Sequence, residues 1–283
     1  MATRAGSLTL RPMTGPDIAT ATVLSREQAW PHREEDWALF LEAGEGIVAE
    51  RVGRVLGTVM AWRYGEDFAT VGMVIVASDV QGQGVGRKLM EAMLDRLAWR
   101  TVVLNATAAG LTLYEKLGFV ETGVIHQHQA IAPGVAVVEG IPGARVRTMS
   151  RSDDGLGDLY SRASGMDRTA LFETLAANAH TVVLTRNHQT VGFAQVRRFG
   201  RGWLVGPVVA PDLGEAKVLI LNGLRAHAGT FCRLDVTSDS GLSEWLEEIG
   251  LPRVDSVKTM VRGRSPNPDP GISVRAIAAQ ALG

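Results

Sequence analysis

Three glycines at alternate positions lie between a β-branched run and a segment whose apolar residues recur at helical spacing. The stretch, VIVASDVQGQGVGRKLMEAML, spans residues 74–94. This pattern predicts a strand, a glycine-rich loop and a helix. Such a loop presents backbone N–H groups at a helix N-terminus, where the helix dipole also favours negative charge. The stretch therefore predicts an anion site, and Arg87 adds a cation beside it.

Three kinds of phosphate-binding loop contain glycines of this sort. The NTPase loop ends in Gly-Lys and then Ser or Thr for magnesium, but here Leu89 follows Arg87 and Lys88. The dinucleotide fingerprint is Gly-x-Gly-x-x-Gly near a first strand, whereas this loop reads Gly-x-Gly-x-Gly well into the chain. The pyrophosphate loop of an acyl-CoA enzyme fits best, because its glycines let the backbone approach the phosphates. A glycine-rich turn without a ligand is the remaining alternative.

Two segments resemble motifs of the GNAT acyltransferase superfamily. Residues 74–87 resemble its central motif, and LNATAAGLTLYEKLGF, residues 104–119, resembles the motif that follows it. The order and spacing of the two segments also agree with the family, and the resemblance covers residues 7–130. It implies an α/β fold in which a mostly antiparallel, centrally splayed sheet is flanked by helices.

The resemblance also implies which residues contact acetyl-CoA. In this family the strand before the loop pairs with the pantetheine arm, and the loop cradles the pyrophosphate. The residues at these positions and at the end of the next strand are Val74, Val76, Gln81, Gly82, Gln83, Gly84, Val85, Gly86, Arg87 and Asn105. Tyr114 matches the tyrosine that commonly protonates the leaving thiolate, so it is the expected general acid.

Direct acyl transfer to an amine agrees with this set of residue types. The reaction needs a neutral amine, a stabilised oxyanion and a proton for the departing sulfur. A backbone N–H near Val74 could stabilise the oxyanion, and the Tyr114 phenol can donate the proton. No metal is required. His126 and His128 alternate on one strand and lack a third ligand, so we expect a solvated strand face there and no zinc site.

The general base and the acceptor pocket are less well indicated. His32 lies in AWPHREEDW, in the segment that shapes the acceptor site in the family, and its ordinary pKa is near neutrality. It is the first candidate for the base, with a base acting through ordered water as the alternative. Trp30 and Trp37 could line an apolar or aromatic acceptor pocket, or be core residues.

The second half of the chain repeats the first. Residues 189–212 are similar to 54–79, and residues 232–251 are similar to 102–119, so duplication of a whole domain is indicated. We predict a GNAT domain over 1–130, a linker over 131–143, a degenerate GNAT-like domain over 144–263 and a loosely packed tail over 264–283.

The second copy lacks the features that would bind acyl-CoA. Its loop has one glycine, Gly214, and it places Asp212 and Glu215 where phosphate would bind. Trp245 or Leu246 stands in the place of Tyr114. We therefore expect this half to be silent and to cover a sheet edge or complete the acceptor pocket.

Composition excludes several other classes of protein. The net charge of −1 argues against nucleic acid as a partner, and no apolar stretch is long enough to span a membrane. The start of the chain does not resemble a signal peptide, and the single cysteine, Cys232, indicates a reducing cytoplasm and a core position.

The sequence thus predicts a cytoplasmic, acetyl-CoA-dependent N-acetyltransferase. Its acceptor is an amine of a small molecule, a protein or a peptide. A non-catalytic acyl-CoA-binding module and a transferase of another acyl group are the alternatives. The sequence does not indicate the oligomeric state.

Overall fold

The computed structural model describes residues 7–134 and 140–283, so positions 1–6 and positions 135–139 of the predicted linker lie outside the described residues. The elements of the first half are β1 (Thr9–Pro12), α1 (Ile18–Glu27), α2 (Glu34–Ala43), β2 (Glu45–Arg51), β3 (Arg54–Tyr64), β4 (Phe68–Val76), α3 (Val85–Leu97), β5 (Thr101–Ala106), α4 (Leu111–Lys116) and β6 (Val120–Ile131). Those of the second half are β7 (Ala144–Thr148), α5 (Leu156–Ser164), α6 (Thr169–Ala176), β8 (His180–Arg186), β9 (Gln189–Phe199), β10 (Gly202–Ala210), α7 (Leu213–Ala226), β11 (Phe231–Thr237), α8 (Ser243–Glu248), β12 (Arg253–Arg262) and β13 (Ser273–Ala276).

The strand, loop and helix predicted around the glycines are present. Strand β4 ends at Val76 and helix α3 begins at Val85. The helix forms because Val85, Leu89, Met93 and Leu97 recur at helical spacing and are all buried against the sheet. Within the described part of the chain, no helix is both long enough and apolar enough to cross a membrane.

All described strands join in one sheet, in the order β1-β2-β3-β4-β5-β12-β6-β11-β13-β10-β9-β8-β7. The sixth strands of the two halves are exchanged at its centre. Strand β12 of the second half pairs with β5 and β6, and β6 of the first half pairs with β11. Each half therefore completes the sheet of the other.

The predicted central splay is present in both halves. Strands β4 and β5 are parallel and pair only over Phe68–Thr70 and Thr101–Val103, after which they diverge. Strands β10 and β11 of the second half pair at Trp203 and Leu204 and then diverge in the same way. In that second gap lies β13, which pairs with both β10 and β11.

The prediction of a loosely packed tail over 264–283 is wrong for its last part. Ile277, Ala278, Ala279 and Leu282 are buried. The hydroxyl of Tyr64 donates a hydrogen bond to the carbonyl of Leu282 at 2.8 Å. The proline-rich start of this segment suggested a loose tail, but the apolar residues that follow it pack into the core shared by the two halves.

Truncation of a side chain in this segment tests the packing. We expect Leu282→Ala to lower the free energy of unfolding by about 3 kcal/mol, because it leaves a cavity at a fully buried position. Urea denaturation measures the change. Val120→Ala, at a residue that is 66% exposed, is the control and should cost less than about 0.5 kcal/mol. Equal effects of the two substitutions would show that the segment is loosely packed after all.

Candidate active site

The glycine loop connects the end of β4 to the start of α3. Gly82 and Gly84 have φ angles of 76° and 78°, and Gly84 is the N-cap of α3. A Cβ atom at either position would meet no other atom within 4 Å, so the backbone conformation and not crowding accounts for these glycines. The amide of Gln81 donates to the carbonyl of Val76 at 3.1 Å and fastens the loop to the strand. The first N–H groups of α3 are thereby left free of any side-chain cap.

A bulge in β4 lies beside this loop. The pairing of β3 with β4 shifts between Thr58 and Met60, and Met73 on the opposite strand has a φ of 51°. The buried hydroxyl of Thr58 donates to the carbonyl of Met73 at 2.7 Å, which holds the strained residue in place. The bulge turns the backbone of β4 at the point where it leaves β5. The sequence contained no signal for it, because Met73 is an ordinary apolar residue of a strand.

Tyr114 lies on α4, across the gap from the loop. Its side chain is 8% exposed, and its ring packs against Gly110 and against the ring of Phe119 at a centroid distance of 6.0 Å. Burial raises the pKa of the phenol to about 12. Among the described residues its hydroxyl has no hydrogen-bond partner, which leaves it free to donate to a ligand.

A cavity of about 640 Å³ joins the bulge, the loop and α4. It contains no aspartate, glutamate or histidine among its described lining residues, and its charged members are Arg87 and Lys116. The predicted site residues that line it are Val74, Val76, Gln81, Gly82, Gly84, Val85, Gly86, Arg87, Asn105, Tyr114 and Trp30. Gln83, His32 and Trp37 do not. An apolar trough that ends in uncapped N–H groups and a cation is suited to a long ligand with phosphate at one end.

Asn105 is placed at the cavity, but its side chain is engaged elsewhere. Its amide nitrogen donates to the carbonyl of Gln280 at 2.8 Å, and its amide oxygen accepts from the hydroxyl of Thr259 at 2.8 Å. Both partners belong to the second half. The expected contact of Asn105 with a cofactor arm could therefore use its backbone and not its amide.

The structure separates His32 from the cavity. Its imidazole packs among the rings of Trp30, Trp37, Phe40 and Phe199, with centroid distances from 5.4 to 6.4 Å. Burial lowers its pKa to about 4, so the ring is a weak base. Phe199 belongs to β9 of the second half, and this contact could not be seen in the sequence around His32. The histidine is thus part of the junction between the halves.

Trp37 is a core residue. Its side chain is fully buried, and its indole N–H donates to the hydroxyl of Ser25 at 3.4 Å. It does not contribute to the wall of the cavity. Trp30, by contrast, is half-buried and lines the cavity beside Gln28.

The expectation of a solvated strand face at His126 and His128 is wrong for His128, whereas His126 is partly exposed. His128 is fully buried, with Nδ1 2.8 Å from the carbonyl of Leu251 and Nε2 2.9 Å from the hydroxyl of Ser243. His128 is covered by α8 of the second half and the residues that follow it, which supply Ser243 and Leu251. No cluster of metal-ligating side chains occurs among residues 7–134 and 140–283. Cys232 is buried in the core, as predicted, and burial raises its pKa to about 11.

The corresponding loop and strand gap of the second half are occupied by the protein's own side chains and backbone. Asp212 is the N-cap of α7, and its carboxylate accepts from the backbone N–H of Glu215 at 2.8 Å. Glu215 is itself buried and forms an ion pair with Arg186. On α8, Leu246 occupies the place that Tyr114 has on α4, since both are the fourth residue of their helices and both are buried. The side chain of Asp212 thus fills the anion position, and β13 fills the gap.

Comparison with known proteins agrees with this duplicated architecture. Two family models described as acetyltransferase (GNAT) domains match residues 42–121 and 157–272. The uncharacterized N-acetyltransferase YitH of Bacillus subtilis is 25% identical over 240 residues, which cover 82% of this chain and 83% of that protein.

Solved structures have the same fold. A putative acetyltransferase from Pyrococcus horikoshii superposes with a TM-score of 0.82 at 21% identity, covering 100% of this chain and 98% of that one. A tandem GNAT protein from the clavulanic acid biosynthesis pathway superposes with a TM-score of 0.65 at 15% identity, covering 92% of this chain and 100% of that one. The two domain matches and the named relatives show that this chain is an acyltransferase of the GNAT acetyltransferase superfamily, with one GNAT domain in each half.

Proposed function

We propose that the first half of the chain catalyses acetyl-CoA-dependent N-acetylation and that the second half has no acyl-CoA site of its own. The observation that supports this most strongly is the single cavity in which the glycine loop, the bulge of β4 and the hydroxyl of Tyr114 meet. This arrangement supports the binding of a phosphorylated thioester and the protonation of its thiolate there. The acceptor is an amine of a small molecule or of a protein or peptide.

The shape and charge of the cavity fit acetyl-CoA. The loop offers N–H groups at the start of α3, with Arg87 alongside. The edge of β4 beyond Thr70 has no strand partner on the β5 side among the described residues, so Val74 and the N–H of Val76, whose carbonyl is bonded to Gln81, are available for an amide-containing arm. Negative phosphates would meet no carboxylate on the lining.

The chemistry follows from two groups that line the cavity, the backbone near Val74 and the phenol of Tyr114. The backbone near Val74, turned by the bulge, is the proposed donor to the oxyanion that forms when an amine attacks the thioester carbonyl. Tyr114 then donates its phenolic proton to the sulfur as the C–S bond breaks, and the acyl group stays on the amine nitrogen. Burial keeps this phenol protonated, because it raises the pKa to about 12.

The amine must lose its proton without a side-chain base from the cavity. No described lining residue is a carboxylate or an imidazole, and His32 lies elsewhere. We therefore propose that ordered water accepts the proton. The neutral form of the acceptor amine then reacts. That form is either already present in solution or arises when the amine loses its proton on entering the cavity.

The charge at the start of α3 gives a first test. We expect Gly84→Asp to weaken acetyl-CoA binding at least about tenfold, because it places a carboxylate next to the pyrophosphate. Gly84→Asn is the matched control, since asparagine tolerates the same left-handed backbone and has nearly the same shape without the charge. Calorimetry should give one site per chain for the wild type. Two sites, or equal affinities of the two variants, would contradict the proposal.

Removal of one hydroxyl tests the general acid. Tyr114→Phe should lower kcat by about 100-fold or more while the affinity for acetyl-CoA stays within about twofold, because only proton donation to the thiolate is lost. Release of free CoA with a panel of amines is the measurement. Tyr160→Phe is the control, since its buried hydroxyl lies outside this cavity and has no hydrogen-bond partner among the described residues. An unchanged kcat in Tyr114→Phe would show that the acid is misassigned.

The pH dependence tests both proton transfers. Since the pKa of Tyr114 is raised, the phenol stays protonated as the pH rises, so we expect no loss of kcat between pH 7 and about pH 10, where an ordinary tyrosine would be half ionised. With no side-chain base, kcat/KM should rise with pH up to the pKa of the acceptor amine itself. The pH at the midpoint of the kcat/KM profile should therefore rise with the pKa of the acceptor amine used. One midpoint common to all acceptors would instead reveal an enzymatic base.

A further inference from the structure

The end of the described chain contacts the diverging strands of both halves. Strand β13 lies in the gap between β10 and β11, and the backbone N–H of Ile277 then donates to the carbonyl of Asp235 at 2.8 Å. From there the chain crosses to the first half. We call residues 277–283 the wall segment.

Side chains from both halves hold the backbone carbonyls of the wall segment. Arg197 donates to the carbonyl of Ala278 at 2.6 Å, and Asn105 donates to that of Gln280 at 2.8 Å. The carbonyl of Leu282 accepts from the hydroxyl of Tyr64 at 2.8 Å and from the guanidinium of Arg168 at 2.7 Å. Arg168 and Arg197 are themselves buried. Buried donors that converge on consecutive parts of one backbone fix its path.

The wall segment lies directly behind the bulge of β4. A Cβ atom on Gly72 would be 2.9 Å from the Cα of Ala281, so only glycine allows this approach. Gly72 also lines the proposed acyl-CoA cavity. Ala281 is therefore separated from the cavity by no more than the backbone of β4.

The face on which the wall segment lies follows from strand register. Gly57 is opposite Val76, and a Cβ atom on Gly57 would lie 3.1 Å from the side chain of Leu89 on α3. Gly72 is opposite Met60, which lies three positions after Gly57 on β3 and therefore on the other face of the sheet. Gly72 accordingly faces away from α3. Since Gln280 contacts Asn105 on β5 while Ala281 contacts Gly72 on β4, the segment bridges the two diverging strands on the face opposite α3.

We propose that Gln280, Ala281 and Leu282 form the back wall of the acyl-CoA cleft and determine which acceptors reach the thioester. This inference rests on the proposed function. The wall closes the gap between β4 and β5 on the face opposite α3, where the two strands separate. The entry that we propose for the acceptor passes Gln28 and Trp30, which line the cavity.

This entry route selects for size. The acceptor must share a cavity of about 640 Å³ with the end of the pantetheine arm, so a compact primary amine is favoured over a bulky or branched one. A second cavity of about 530 Å³ borders Asn105 and both ends of the wall segment, Ile277 and Gly283, and the wall keeps the water of that cavity from the thioester, which protects it from hydrolysis. The second half thereby contributes to specificity although it has no ligand site of its own.

Hydrolysis of acetyl-CoA in the absence of any amine tests the wall. Tyr64→Phe removes one of the hydrogen bonds to Leu282, and we expect hydrolysis to rise about fivefold, since one lost hydrogen bond of about 1 kcal/mol raises the opened fraction by that factor. Thr70→Val, whose hydroxyl donates to the same carbonyl at 3.4 Å, is a milder second variant and should give a smaller rise. Free thiol release is the readout, and Cys232 adds no background because it is buried.

Tyr160→Phe is the matched control, because it removes an equally buried hydroxyl that has no partner among the described residues. Its hydrolysis rate should equal that of the wild type. Calorimetry on all variants should show an unchanged affinity for acetyl-CoA, which excludes damage to the loop. If all variants and the wild type hydrolyse acetyl-CoA at the same rate while the wild type binds it, the proposed role of the wall segment is wrong and the proposed function is unaffected. Failure of the wild type to bind acetyl-CoA would overturn the proposed function itself.

Discussion

The divergence of two parallel strands is the constraint on which the rest of this structure depends. Strands β4 and β5 pair only as far as Thr70 and Val103, and their backbone groups beyond that point need other partners. In the first half the gap borders an open cavity on the side of α3, whereas β13 occupies the same gap in the second half. The two halves therefore have similar folds, and they differ mainly in which groups can pair with the backbone of the separated strands.

The same contrast is found at the start of the helix that follows each gap. Helix α3 begins at Gly84 without a side-chain cap, and its first N–H groups are available to an outside anion. Helix α7 begins at Asp212, whose carboxylate satisfies the N–H of Glu215. Both helices need a negative partner at this end. One uses its own aspartate, and the other has the free donors that a pyrophosphate would engage.

Local features of the fold could be predicted from the sequence, and features set by distant contacts could not. The strand, loop and helix around Gly84 follow from glycine placement and apolar spacing within a short window. Contacts from the other half of the chain help to bury His32, His128 and residues 277–283. Neighbouring residues alone therefore suggested an exposed strand face and a loose tail. The bulge at Met73 could not be predicted from the local sequence either, because Thr58, whose hydroxyl holds it in place, lies on another strand.

The exchange of strands explains why the first half depends on the second, whatever the second half binds. If the second half were removed, β5 would lose one neighbour, β12, and β6 would lose both of its neighbours, β12 and β11. Two central strands of the first half would then have open edges, a condition that favours aggregation. Removal of the second half would also alter the cavity, because Asn105 would lose both partners of its amide, Thr259 of β12 and Gln280. The second half can thus lose its ligand chemistry without losing its role, provided that it still supplies these strands and contacts.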